Sequence, residues 1–143
     1  MGLFNRTINP KPPYDALERE QRLALYYLLE YFAMKGVDML RPSNVFNYLD
    51  KAANKLGFSE KQIKEYRPFF NTFEKVTSYV KQIKNRQALE YTICNCGTIF
   101  NLMNDYTIRQ ELAKKLYELY NELGYSEEEV NYYTRRYILE DIM

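Results

Sequence analysis

The chain has 143 residues, 46% of them apolar and 27% charged, with a formal net charge of +1. This length and apolar content suit one globular domain with a real core and exclude a disordered chain, while the near-neutral balance excludes a global field for nucleic acid or an anionic membrane. Histidine is absent, which excludes Ser–His and Cys–His nucleophilic catalysis and the commonest nitrogen metal ligand.

No stretch reaches the roughly 18–20 apolar residues that cross a bilayer, so the chain is expected not to span a membrane. The opening Met1-Gly2-Leu3-Phe4-Asn5-Arg6-Thr7 has neither a long apolar run nor a small-residue cleavage site, so it does not read as a signal peptide. Arg6 stands where a myristoylation signal wants Ser or Thr. A cytoplasmic location is the expectation.

Residues 1–13 hold Pro10, Pro12 and Pro13 and read as an extended arm; residues 14–143 read as one helical domain. The first helix is expected from Asp15 to about Met34, with Leu17, Leu23, Leu25, Tyr27, Leu28, Tyr31 and Phe32 as its buried side and Lys35-Gly36 as its end. Arg41-Pro42-Ser43 starts a second helix, since proline is tolerated in a first turn. Val45, Phe46, Leu49, Ala52, Ala53 and Leu56 give it three-four spacing, and Gly57 stops it. Ser59-Glu60-Lys61-Gln62 is a capping box that opens a third helix, and Pro68 interrupts it. Asn71-Thr72-Phe73-Glu74 reads as another box, leading into Val76, Val80 and Ile83. A further helix runs through Leu89, Ile93, Cys96, Ile99 and Met103. Asn104-Asp105 then leads to one carrying Leu112, Leu116, Leu119 and Leu123, ended by Gly124. Ser126-Glu127-Glu128-Glu129 opens the last helix, through Val130, Tyr133, Tyr137 and Ile138. No sustained strand alternation occurs. The expected fold is all-α, six or seven helices in a single bundle.

The sequence also resembles itself. Leu49 to Glu60 can be laid on Leu116 to Glu127 at an offset of 67, with Leu, Asn, Leu, Gly, Ser and Glu coinciding. Ala24-Leu25-Tyr26-Tyr27 resembles Ala88-Leu89-Glu90-Tyr91 at an offset of 64. Two pseudo-two-fold related helical halves, about 20–83 and 84–143, are therefore expected, each with an apolar face it cannot bury alone. Capping physics accounts for the shared Gly and Ser, but not for Asn54 meeting Asn121.

The stretches Tyr31 to Val37, Leu40 to Val45, Leu49 to Ile63 and Phe100 to Val130 resemble the tellurite-resistance TerB-like family. The resemblance implies an all-helical domain built from two related halves. Members often carry an Asp before the turn glycine of each half, and those acids are linked to divalent metal binding. Here Lys35 precedes Gly36 and Leu123 precedes Gly124, so the family's metal site is not carried over. A hard cation wants six or more oxygens, and Lys35 would repel it. No metal and no cofactor is expected.

Other chemistry is sparse. Five glycines form no phosphate loop. Cys94 and Cys96 sit two apart, a spacing that does not face on a helix, so they read as packed thiols. Glu127, Glu128 and Glu129 complement a helix N-terminus. Glu30 and Asp38 read as solvent-facing acids. Residues 51–90 carry nine Lys/Arg against four Asp/Glu, and residues 105–143 carry five against nine. Lys75, Lys81, Lys84 and Arg86 with Tyr79 form a short basic segment, too weak to imply a nucleic-acid partner. Fifteen tyrosines are unusual. Tyrosine favours interfaces, being apolar with one polar tip.

The expected function is a non-enzymatic protein-interaction or scaffold module, with another protein or a second copy as partner. Its contact candidates are Tyr132, Tyr133, Arg135, Arg136 and Tyr137 at the C-terminal end and Lys81, Lys84 and Arg86 in the basic segment. The alternative is a small molecule or lipid in an apolar cavity between the halves, lined by Tyr27, Tyr31, Phe100 and Tyr120. An interaction module should expose a continuous apolar patch, a ligand binder should enclose a pocket, and an enzyme should bury acids with shifted pKa values.

Overall fold

The computed structural model describes residues 13–36 and 42–136. Most of the N-terminal arm, Asp38 and Tyr137 lie outside the described residues. Among these residues the chain forms seven α-helices and one 3-10 turn, with no strand. The helices are α1 (Arg19–Lys35), α2 (Pro42–Leu56), α3 (Glu60–Tyr66), α4 (Phe73–Val80), α5 (Arg86–Asn101), α6 (Tyr106–Glu122) and α7 (Glu127–Thr134); the 3-10 turn Arg67–Phe70 follows α3.

Their boundaries follow from capping. Ser59 accepts the Gln62 amide at 3.2 Å while its own N–H donates to the Gln62 side chain at 2.9 Å. Ser126 and Glu129 repeat this arrangement at the start of α7. Asp105 and Asn85 cap α6 and α5 by accepting the amides of Ile108 and Ala88. Two expectations shift. The first helix starts at Arg19 rather than Asp15: Leu17 N–H closes a turn on Tyr14 O, and Glu18 is extended at φ −68°, ψ 158°. The expected box at Asn71 is a one-sided cap instead. Thr72 accepts the Lys75 amide, and a lysine in the third helical position cannot accept a bond in return.

The two turn glycines repeat one geometry. Gly57 and Gly124 have φ of 94° and 96°, a conformation that disfavours side chains. After each, an aromatic residue bonds back five residues, Phe58 to Ala53 at 2.9 Å and Tyr125 to Tyr120 at 3.0 Å. Each aromatic is then covered by an arginine from its half's first long helix: Arg22 lies 5.2 Å from the Phe58 ring centre, and Arg86 4.2 Å from that of Tyr125. Arg22 and Arg86 share the 64-residue offset of the Ala-Leu runs. Asn121 donates its side-chain amide to Tyr125 O at 3.3 Å, a role beyond capping.

Helices α1 and α5 pack together at the centre, and both are buried on nearly every side. Phe32 meets Phe100 edge to face across them, at 5.6 Å between ring centres. A buried polar network ties in the residues before α1: Asn95 of α5 donates to Tyr14 Oη at 3.1 Å and accepts from Tyr48 of α2, and Thr92 lies 3.2 Å from Tyr14 Oη. Gly97 sits in the middle of α5 because α7 crosses there. A Cβ on Gly97 would stand 2.0 Å from Thr134 O. None of the described helices is long and apolar enough to cross a membrane.

Candidate functional site

The first half leaves a groove that the second half closes. Helix α7 packs on α5 and α6, whereas α3 packs chiefly on α2 and the 3-10 turn. The ends of the two short helices correspond at the 67-residue offset, Arg67 against Thr134. Thr134 touches bare backbone at Gly97, so its helix lies close to α5. Arg67 instead meets the Glu30 carboxylate, and two long side chains stand between α3 and α1. Pro68 then turns the chain away into the 3-10 segment.

The resulting groove, of about 480 Å³, lies between α1, α2 and α3. Its floor is Leu49, Ala53, Phe58 and Ile63, all buried. At its mouth Met34 and Phe46 are 48% and 44% exposed, a large apolar display for a helical surface. The α2 wall is Phe46, Leu49, Asp50 and Ala53, the spacing of one helical stripe. The α1 wall is Tyr26, Glu30 and Met34, four apart.

The polar groups around the groove are mostly spent on one another. Glu30 accepts from Arg67 and, at 3.3 Å, from Tyr26 Oη. The Glu30 hydrogen bond holds the Arg67 guanidinium above its ordinary pKa, and burial, with the Glu30 charge behind it, pushes the Tyr26 phenol upward. Glu60 and Lys64 pair at 3.6 Å on the α3 rim. Asp50 has no ion pair among the described residues and leaves the rim with one uncompensated negative charge. No group of three or more His, Cys, Asp or Glu among the described residues is placed to hold a metal ion. Burial pushes the Cys94 thiol up to about 11 and that of Cys96 further, so both stay protonated and unreactive at neutral pH.

The cavity candidates sit in different surroundings among the described residues. Tyr27 stacks on Phe70 at 5.0 Å, its hydroxyl donates to Ile63 O, and burial pushes its pKa up to about 12. Tyr120 is fully buried and donates to Leu89 O at 2.9 Å. Tyr31 packs against Phe73 at 4.6 Å with Lys115 over both rings. Phe100 borders a recess of about 250 Å³ between α5 and α6.

The contact candidates divide. Tyr132 is 53% exposed, and Arg135 and Arg136 stand beside it just past the end of α7. Tyr133 is half-buried against the core, and burial raises its phenol. Lys81 pairs with Glu122 at 3.1 Å, and Arg86 lies 3.7 Å from Glu90 while covering Tyr125, so two of the three basic-segment candidates have partners within the chain. Lys84 is exposed. The groove itself escapes the sequence reading because its residues look like core: Phe46, Leu49 and Ala53 carry the same spacing whether a neighbour covers them or not. The available signal was Glu30, an acid set in the apolar run from Leu23 to Met34; it reads as solvent-facing, but its side chain is only 17% exposed and is paired with Arg67.

Comparison with protein-family models, curated proteins and solved structures finds no match for this chain.

Proposed function

We propose that this chain is a non-enzymatic protein-interaction or scaffold module of the cytoplasm, resembling TerB-like domains, and that the α1–α2–α3 groove is its docking face. The single observation that carries this reading is the half-exposed Phe46 and Met34 above a buried apolar floor. Apolar residues of this size at the mouth of an open trough suit an amphipathic helix, which lays anchors at i, i+3, i+4 and i+7 into such a groove. The alternative, a lipid or small molecule held between the halves, is less well supported, since Tyr27 and Tyr120 spend their hydroxyls on backbone carbonyls and their rings on packing.

Selection from a library of helical peptides, with Phe46→Asp as counter-target, tests the role. Phe46 is 44% exposed, so the variant should fold and melt within about 0.5 kcal/mol of the parent. Enriched peptides should share an apolar helical stripe and lose most of their binding to the variant. Peptides that bind both proteins equally, or no enrichment, would remove the groove from the account.

A further inference from the structure

We infer that the groove's occupant is a basic amphipathic helix of a partner protein, one whose apolar stripe is flanked by lysine or arginine; the inference rests on the docking role proposed above. The charges around the groove carry it. Its lining holds three acids, Glu30, Asp50 and Glu60, against two cations, Lys64 and Arg67. Both cations are spent, Arg67 on Glu30 and Lys64 on Glu60. Asp50 keeps its charge. Its helical neighbours at three and four residues are Phe46, Asn47, Ala53 and Asn54, none of them a cation, and it makes no ion pair among the described residues.

The position of that acid fits a docking edge. Asp50 is exposed on α2, one turn beyond the half-exposed Phe46, so a free carboxylate and an apolar ring share one wall. Aspartate is a poor residue for a helix interior, so local structure gives no reason for it there. At the 67-residue offset Asp50 meets Tyr117, a ring packed against the core. The second half thus has a packing ring where the first has an acid beside an open groove. An occupant that only filled the trough would leave this carboxylate partly desolvated and unpaired. A lysine or arginine at the edge of the stripe gives it a partner, whereas a glutamate there sets like charges face to face. The α1 wall from Tyr26 to Met34 runs about 12 Å at 1.5 Å per residue, enough for two turns of a docked helix. Two turns supply anchors at i, i+4 and i+7 and an edge position for the cation.

Two synthetic helical peptides, their binding read by fluorescence anisotropy, test this. They share one apolar stripe, flanked by lysines in one peptide and by glutamates in the other. The lysine peptide should bind the parent at least about tenfold more tightly, by a margin that shrinks in high salt. Asp50→Asn should reduce the preference and Asp50→Lys should reverse it. Glu118→Lys makes the same charge change on an exposed acid of α6 outside the groove, and should leave the preference as it is. Thermal melts of each variant check that these exposed changes leave the fold intact. Equal binding of the two peptides, or a preference that Asp50→Lys does not alter or that Glu118→Lys removes as fully, would overturn the inference. If Phe46→Asp still abolished that binding, the docking role would stand without it. If neither peptide binds the parent, the docking role and the inference fall together.

Discussion

Three glycines separate two kinds of constraint. Gly124 needs only its backbone angle, since a Cβ there would meet nothing within 4 Å. Gly97 has ordinary helical angles but no room, because Thr134 O occupies the Cβ position. Gly57 has the positive φ and also Arg22 Nη1 at 2.8 Å from the added atom, though that group can move. Gly124→Ala should cost about 1–2 kcal/mol through left-handed strain. Gly97→Ala must push α7 off α5 and should cost about 1–3 kcal/mol, as overpacking does. Hydrogen exchange separates them: Gly97→Ala should raise exchange across α7 selectively, and uniform exchange in α7 and α3 would contradict the packing described. The sequence alone signalled Gly57 and Gly124, because a stop glycine lies between a periodic run and a Ser cap. Nothing local marked Gly97, whose partner is 37 residues away.

Among the elements, α3 and α7 start alike and finish differently. Their common start was legible, as Ser59 and Ser126 each precede a Gln or Glu by three, and both boxes form. Their different seats were not legible, because Glu30 and Gly97 become comparable only after the helices have folded against their neighbours. Glu30 has a side chain only 17% exposed, so removing its cation leaves a largely desolvated carboxylate. Arg67→Ala should therefore cost about 1–3 kcal/mol. Lys64→Ala, which breaks the exposed pair with Glu60, should cost no more than about 0.5 kcal/mol. Chemical denaturation of both variants checks the order; equal losses would mean that the Glu30–Arg67 contact does not prop the groove. The start of α1 at Arg19 and the cap of α4 at Thr72 escape the sequence reading for a simpler reason, as local polar residues offer more than one cap and backbone geometry chooses between them.

For the whole molecule, the high tyrosine content becomes a pH dependence. Burial raises the phenols of Tyr14, Tyr26, Tyr27, Tyr120 and Tyr125 above the ordinary value near 10. A raised folded-state pKa adds stability that is fully present below the unfolded value and lost above it, as the unfolded chain ionises first. Stability should stay level with respect to these groups at neutral pH and fall above about pH 10, with Tyr27 alone titrating near 12 in the folded protein. Tyrosinate absorbance from the buried set should rise only together with loss of helical circular dichroism. A single titration near the ordinary value with helix retained would show that the buried rings are accessible. The all-α architecture was legible because helical periodicity and capping act locally. Which tyrosines were core and which were surface was legible only in part: Tyr120 continues the Leu112–Leu116 stripe, whereas Tyr14 and Tyr125 are buried by partners distant in sequence.

Under the proposed function, the molecule acts through the α1–α2–α3 groove rather than through its interior. Methyl-group NMR of the chain titrated with a groove-selected helical peptide tests this most directly. Shifts are expected at Met34, Leu49, Ala53 and Ile63, with Ile93, Ile99 and Leu116 of the central core unmoved. Shifts centred on Ile93, Ile99 and Leu116, with the groove methyls unchanged, would contradict it and place binding between the two halves.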